Sequence, residues 1–178
     1  MAAELAKAAG ARVAVTGLEQ DRSVRLALAE KRGFIPIVVS PEKPLHEQLK
    51  SGIDDLSGNR FGDDYEDGTV DVLIECSGAP PALGAAGLSV QLEGQICVIA
   101  TFGSEVSFQA TPFTRSGQVM MGVMGSNRED FEVAQALLHR GVFPVDEYSQ
   151  VYPFDNAMQA MEDSIRAKTP KAILAVNP

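Results

Sequence analysis

The chain has 178 residues, the size of a typical single domain, with 45% apolar and 22% charged residues, which argues against disorder. No apolar stretch is long enough to span a membrane, and a net charge of −9 without a basic cluster disfavours binding to nucleic acid. The amino-terminal segment carries Glu4 and Lys7 and lacks the basic start of a signal peptide, so we expect a cytoplasmic protein.

The first half of the chain alternates predicted helices with short apolar runs. Good helix formers followed by Gly10 predict the first helix, and Gly33 ends the second. The last strand of this half, VDVLIECSG, is nearly continuous in apolar residues and is typical of a central strand. The predicted elements are helices over 2–9, 21–32 and 42–56, and strands over 12–17, 35–40 and 70–78.

The second half continues the alternation. A helix follows Pro80, and Ser126 with Glu129 forms a predicted capping box for a helix that ends in His139 and Arg140. Asp155 is the predicted cap of a last amphipathic helix, and the methionines are predicted to fill the core. The predicted strands are 94–103, 106–109, 118–124 and 171–176.

Short strands that alternate with helices predict βαβ units and a parallel sheet. No cysteine or histidine spacing indicates a metal site, and Cys76 and Cys97 are predicted to be buried strand residues. The acidic cluster of Asp63, Asp64, Glu66 and Asp67 is predicted to be a solvated loop, with a weak cation site as the alternative.

Parallel sheets bind ligands beyond the carboxyl ends of their strands, so the small residues that follow the predicted strands are candidate contacts. A dinucleotide-binding fold normally begins with a strand and a Gly-x-Gly-x-x-Gly loop that holds the pyrophosphate. Neither the strand nor the glycine motif occurs at the start of this sequence, which opens with a predicted helix. The sequence thus resembles a first βα unit that begins at its helix.

Several segments nevertheless resemble the medium-chain dehydrogenase/reductase family, nearest to its zinc-dependent alcohol, polyol, threonine and glucose dehydrogenases. The similarity runs in the same order along nearly the whole chain. The segments are AAELAKAAGARVAVTG, VDVLIECSGAPPAL, LEGQICVIATFG, MGSNREDFEVAQALL and FDNAMQAMEDSIRAKTPKAIL.

The resemblance implies an α/β fold, a Rossmann-type doubly wound parallel sheet that lacks the first strand and the glycine-rich loop. Residues 1–126 would form a partial NAD(P)-binding domain. Residues 127–178 would be the carboxy-terminal segment that in the family packs on a catalytic domain with no counterpart here. The family's zinc ligands lie in that domain, so we expect no catalytic residue and no metal ligand in this chain.

The resemblance also implies a set of cofactor contacts at the strand ends. Gly17 stands where the family's ribose-binding acid is usual, and Arg22 matches a basic residue near the ribose. For Arg22 and Lys171 an ordinary role as surface cations explains the residue type equally well. For the strand-end residues the alternative is simple packing. The implied cofactor-binding residues are Gly17, Leu18, Arg22, Cys76, Ser77, Gly78, Ile99, Ala100, Thr101, Val123, Met124, Gly125 and Lys171.

These observations predict the cofactor-binding portion of a zinc-type NAD(P)-dependent alcohol, polyol or sugar dehydrogenase, without turnover by this chain alone. NADP is favoured over NAD, although Glu19 and Asp21 can replace the missing acid. A homodimer is expected through residues 106–109 and 118–124, with no nucleic-acid or membrane partner. The alternative is a non-catalytic Rossmann domain for dimerisation or nucleotide binding; a methyltransferase fits less well, since it too requires a glycine loop.

Overall fold

The structure is a computed structural model that describes residues 1–53 and 68–176. The acidic cluster at 63–67 and the end of the predicted helix over 42–56 lie outside the described residues. No helix in the described part of the chain is long and apolar enough to cross a bilayer.

Helices and parallel strands alternate along the described chain. The α-helices are α1 Ala2–Ala8, α2 Ala27–Lys31, α3 Leu45–Gly52, α4 Pro80–Gly84, α5 Ala86–Ser89, α6 Ala110–Arg115, α7 Arg128–His139, α8 Val145–Tyr148 and α9 Ala157–Ile165. The strands are β1 Ala14–Gly17, β2 Ile35–Val38, β3 Val70–Glu75, β4 Val90–Val98, β5 Val119–Gly122, β6 Gln150–Pro153 and β7 Ala172–Ala175.

All pairings between these strands are parallel, which confirms the α/β class. They form three ladders with the orders β1-β2, β3-β4-β5 and β6-β7. The chain divides into two compact units, one of residues 1–40 and 126–178 and one of residues 41–125. The division into domains at residue 126 stays a prediction.

In the first unit, β1 pairs with β2 from Ala14 opposite Ile35 to Gly17 opposite Val38. The predicted helix over 21–32 begins with a 3-10 turn at Glu19–Asp21 and a π-helical turn at Arg22–Leu26 before α2. A partly buried ion pair connects the end of this helix to α1, where Arg32 Nε lies 2.9 Å from the carboxylate of Glu4.

In the second unit, helices α4 and α5 supply Leu83 and Ala86 to a core that also contains Val90 and Ile96. Because side chains alternate along a strand, Ile96 faces these helices while its neighbours in β4 point to the other face. The carboxyl ends of β3, β4 and β5 lie side by side at one edge of this sheet, since Glu75 is opposite Val98, and Val98 is opposite Gly122.

Several local predictions are wrong. Residues 106–109 form no strand but lead into α6, which the sequence did not predict, and α8 and β6 were also missed. The side chain that caps α7 is Asn127, with Asp130 as its reciprocal partner, rather than Ser126 with Glu129. Asp155 lies in a 3-10 turn, and no side chain caps α9.

Burial differs from prediction at the cysteines, the methionines and β3. Cys76 is exposed and follows the strand, and Cys97 is half-buried. Met124 is 97% exposed, and most of the other methionines are exposed too. Among the described strands β3 pairs only with β4, so it is an edge strand whose Val72 is 50% exposed rather than a central strand.

Candidate functional site: the carboxyl edge of the three-stranded sheet

The predicted cofactor contacts fall into two groups, one in each compact unit. The second unit holds the turns after β3, β4 and β5, which are Cys76–Gly78, Ile99–Thr101 and Val123–Gly125. The first unit holds Gly17 and Leu18 at the end of β1, Arg22 in the helical turn that follows, and Lys171 directly before β7.

The turns after β3 and β4 are in close contact. Gly78 has a φ of +69°, and a Cβ built on it would lie only 2.5 Å from the carbonyl oxygen of Thr101. Only glycine combines this backbone conformation with such a short approach. The structure therefore brings together two turns that the sequence placed more than twenty residues apart.

The turn after β5 joins the same edge. The backbone N–H of Val123 donates to the carbonyl of Val98 at 3.0 Å, which extends the β4–β5 ladder to the start of this turn. A Cβ at Gly122 or Gly125 would meet no atom within 4 Å, so the space beside this backbone is open. Ile99 and Met124 are exposed at this edge.

Glu75, which sequence reasoning missed, lies at the centre of the first turn. Its side chain is buried at the last position of β3, and its Oε1 accepts hydrogen bonds from the backbone N–H of Ser77 at 2.9 Å and from Ser77 Oγ at 2.5 Å. A glutamate that ends an apolar strand was the available signal, because carboxylates are rarely buried without hydrogen-bond partners.

Cys76 is the thiol nearest to this edge. Partial desolvation and the neighbouring charge of Glu75 raise the pKa of Cys76. A raised pKa disfavours the thiolate, which is the reactive form of cysteine. The thiol is therefore poorly suited to act as a nucleophile.

At the end of β1, Arg22 is paired with an acid. Its Nε lies 2.7 Å from Glu19 Oε1 and its second guanidinium nitrogen 2.9 Å from Glu19 Oε2, and both side chains are exposed. The hydrogen bonds from Arg22 lower the pKa of Glu19 below its ordinary value. An anion that binds Arg22 must therefore compete with this carboxylate.

The carboxylate of Asp21 lies beside Gly17 and is already engaged. Its Oδ2 accepts a hydrogen bond from the backbone N–H of Leu18 at 2.9 Å, and its Oδ1 lies 2.9 Å from Arg25. A Cβ at Gly17 would be 3.3 Å from Oδ2 of Asp21. A small residue at position 17 therefore leaves room for this local acid.

Lys171 is exposed, and its carbonyl accepts a hydrogen bond from Gln150 at 2.8 Å as β6 and β7 begin to pair. It thus lies at the amino end of β7, in a different ladder from Gly17. Among residues 1–53 and 68–176 no group of three His, Cys, Asp or Glu side chains could hold a metal ion.

Residues 1–140 match the family of zinc-binding dehydrogenases. The chain belongs to this family. It corresponds to the carboxy-terminal, cofactor-binding portion, which confirms the resemblance found in the sequence.

Named relatives agree with this assignment. The chain is 27% identical over 177 residues to D-arabitol-phosphate dehydrogenase of Enterococcus avium. The matched region covers 98% of this chain and 47% of that protein. It is 32% identical over 143 residues to sorbitol dehydrogenase of Halalkalibacterium halodurans, covering 78% of this chain and 37% of the relative. The chain therefore spans at most about half the length of these relatives.

Solved structures show the same fold. Benzyl alcohol dehydrogenase of Acinetobacter calcoaceticus superposes with a TM-score of 0.78 at 24% identity, covering 99% of this chain and 46% of that one. Alcohol dehydrogenase TADH of Thermus sp. ATN1 gives a TM-score of 0.78 at 20% identity, with 99% and 47% coverage. These similarities confirm a Rossmann-like fold.

Proposed function

We propose that this chain binds a nicotinamide dinucleotide along the carboxyl edge of its parallel strands, as the cofactor-binding portion of an alcohol, polyol or sugar dehydrogenase. The observation that carries the proposal is the contact between the turns after β3 and β4, where Gly78 approaches Thr101. Ligands of open parallel sheets bind at this edge.

The residues present suit such a cofactor. Open space beside Gly122 and Gly125 lets a flat ring system approach the backbone, and the exposed Ile99 and Met124 offer apolar surface. Val123 to Gly125 would hold the nicotinamide end, and Cys76 to Gly78 the adenosine end. When bound, the nicotinamide ring supplies a hydride acceptor.

Thermal shift with NADP, NAD and S-adenosylmethionine tests the proposal, because a ligand that binds only the folded state raises the melting temperature. We expect a rise with a nicotinamide dinucleotide and none with S-adenosylmethionine. A rise with S-adenosylmethionine alone would contradict the proposal.

We further propose that NADP is preferred over NAD. Both carboxylate oxygens of Asp21 are engaged within the protein, so neither is free to bind a ribose hydroxyl. Arg22 is exposed and forms charge-assisted bonds, which a 2′-phosphate can share or take over from Glu19.

Two matched variants test this preference. Arg22→Ala should abolish the difference between the affinities for NADP and NAD, whereas Glu19→Gln should increase it because the competing charge is removed. Calorimetric titration of both dinucleotides provides the measurement. Tighter binding of NAD by the wild type, or an unchanged ratio in both variants, would refute the role of Arg22.

Turnover is not expected from the 178-residue chain alone. In the described residues no cluster of side chains is suited to hold zinc, the ion that would polarise an alcohol. Reduction of NAD or NADP by the purified chain with zinc and a panel of polyols, above a zinc-only blank, would overturn this expectation.

We also propose a homodimer that forms through the free edge of β5. This strand pairs only with β4 among the described strands, and its Val119 and Met121 are each 56% exposed. Unpaired edge strands invite pairing with a second copy. Light scattering should show a dimer at micromolar concentration, and Met121→Lys should weaken it; a monomeric wild type would contradict the proposal.

A further inference from the structure

Glu75 binds the turn that follows it through every hydrogen bond described for its carboxylate. Oε1 accepts from the backbone N–H of Ser77 at 2.9 Å, from Ser77 Oγ at 2.5 Å and from the backbone N–H of Gly78 at 3.2 Å. Oε2 accepts from the same Gly78 N–H at 3.2 Å. Glu75 as a whole residue is 3% exposed.

The backbone of Glu75 holds the second turn. Its carbonyl oxygen accepts hydrogen bonds from the N–H of Ile99 at 2.9 Å and from the N–H of Ala100 at 3.3 Å. One residue therefore ties the turn after β3 through its side chain and the turn after β4 through its main chain. Between the two, Gly78 lies against the carbonyl of Thr101.

A buried carboxylate is an unfavourable choice if only the fold is at stake. An apolar side chain at the end of β3 would fill the same space without desolvating a charge. Charged acceptors form shorter and stronger hydrogen bonds to backbone N–H groups than neutral ones do. A carboxylate at this position is therefore explained by a need to fix the orientation of the Ser77 and Gly78 peptide groups.

We infer that Glu75 is a positioning residue for nucleotide binding: it sets the conformation of both strand-end turns before the ligand arrives. The inference rests on the proposed function of this edge as the dinucleotide site. Ordering a turn in advance lowers the entropy lost on binding, so the benefit appears in affinity. Glu75 itself need not touch the ligand.

The test uses the full chain and calorimetric titration with NADP and with NAD. In Glu75→Gln one amide oxygen remains as an acceptor without charge, and in Glu75→Leu no acceptor remains. We expect Glu75→Gln to weaken binding of the preferred dinucleotide about tenfold and Glu75→Leu to weaken it further. Amide hydrogen exchange should quicken at Ser77 and Gly78 in both variants.

Leu83→Ala is the matched control. Leu83 lies in the buried core of the same unit and in neither turn, so its truncation should lower the melting temperature and leave the dissociation constant within about twofold. Glu75→Gln conserves shape, so it keeps the test decisive if Glu75→Leu does not fold.

The outcomes separate this inference from the proposed function. If the wild type binds a dinucleotide and Glu75→Gln binds it equally well, the positioning role is wrong while the function stands. If Leu83→Ala loses as much affinity as Glu75→Gln, the loss reflects stability alone and the role is again refuted. If the wild type binds neither dinucleotide, the proposed function fails and this inference fails with it.

Discussion

Gly78→Ala should destabilise the protein through two effects that the structure separates. Alanine at a φ of +69° is strained by about 1–2 kcal/mol relative to its ordinary conformations. The new Cβ would lie 2.5 Å from the Thr101 carbonyl oxygen, whereas ordinary contact begins at 3.4 Å, so the two turns must move apart by about 0.9 Å. Such overpacking costs about 1–3 kcal/mol, for a total of about 2–5 kcal/mol.

Gly117→Ala isolates the backbone contribution. Gly117 lies in the same unit with a φ of +60°, and a Cβ there would meet only the side chain of Glu93, at 3.9 Å. We therefore expect Gly117→Ala to cost only the conformational strain, about 1–2 kcal/mol. Any further cost at Gly78 reports the contact between the two turns.

Urea denaturation of both variants, followed by circular dichroism, measures these differences in the free energy of unfolding. Calorimetry with NADP measures the functional consequence: Gly78→Ala should weaken binding, and Gly117→Ala should not. Equal destabilisation by the two variants would show that the turns after β3 and β4 do not touch in solution. The close approach at the proposed site would then be refuted.

Other predictions concern the first unit and one strained position. Arg32→Ala should lower the free energy of unfolding, measured by urea denaturation, by about 2–3 kcal/mol, because it leaves the buried Glu4 carboxylate without its ion-pair partner. Lys31→Ala is the control, and it should lower the free energy of unfolding by less than about 0.5 kcal/mol because Lys31 is exposed. Burial raises the pKa of Glu4, but hydrogen bonds from Arg32 and Tyr148 outweigh it and leave that pKa below 4.5. The stabilisation is therefore present above pH 4.5 and lost as the pH falls through the lowered pKa; an acid transition equally steep in Arg32→Ala would contradict this. Burial and the hydrogen bond to Glu4 raise the pKa of Tyr148 to about 12. The stability that this phenol contributes is therefore complete below pH 10 and is lost between pH 10 and about 12. This pH dependence should be absent in Tyr148→Phe. Glu93 has a φ of +59°, a conformation that asparagine tolerates better than glutamate. Glu93→Asn should therefore raise the free energy of unfolding by about 0.5 kcal/mol and with it the melting temperature. An unchanged melting temperature would show that the strain is absent.

Local sequence patterns determined most of the elements and the family. Ile35–Val38 and Val70–Glu75 are short β-branched or apolar runs between turn residues, and such runs favour strands wherever they lie. Gly10 and Gly33 end helices because their positive φ is a local requirement. The order of these elements was sufficient to predict parallel pairing, because a helix between two strands of one sheet is the usual crossover connection of a parallel pair.

Tertiary structure decided which side chains are buried and which turns meet. Apolar character alone did not place Cys76 in solvent or Val72 on an exposed edge, because burial depends on which strands become neighbours. Asn127 rather than Ser126 caps α7, since the helix begins one residue later than the spacing indicated. The link from Glu75 to the second turn could not be predicted from the sequence, because the backbone N–H groups that donate to its carbonyl belong to Ile99 and Ala100, more than twenty residues away, and only folding brings them together.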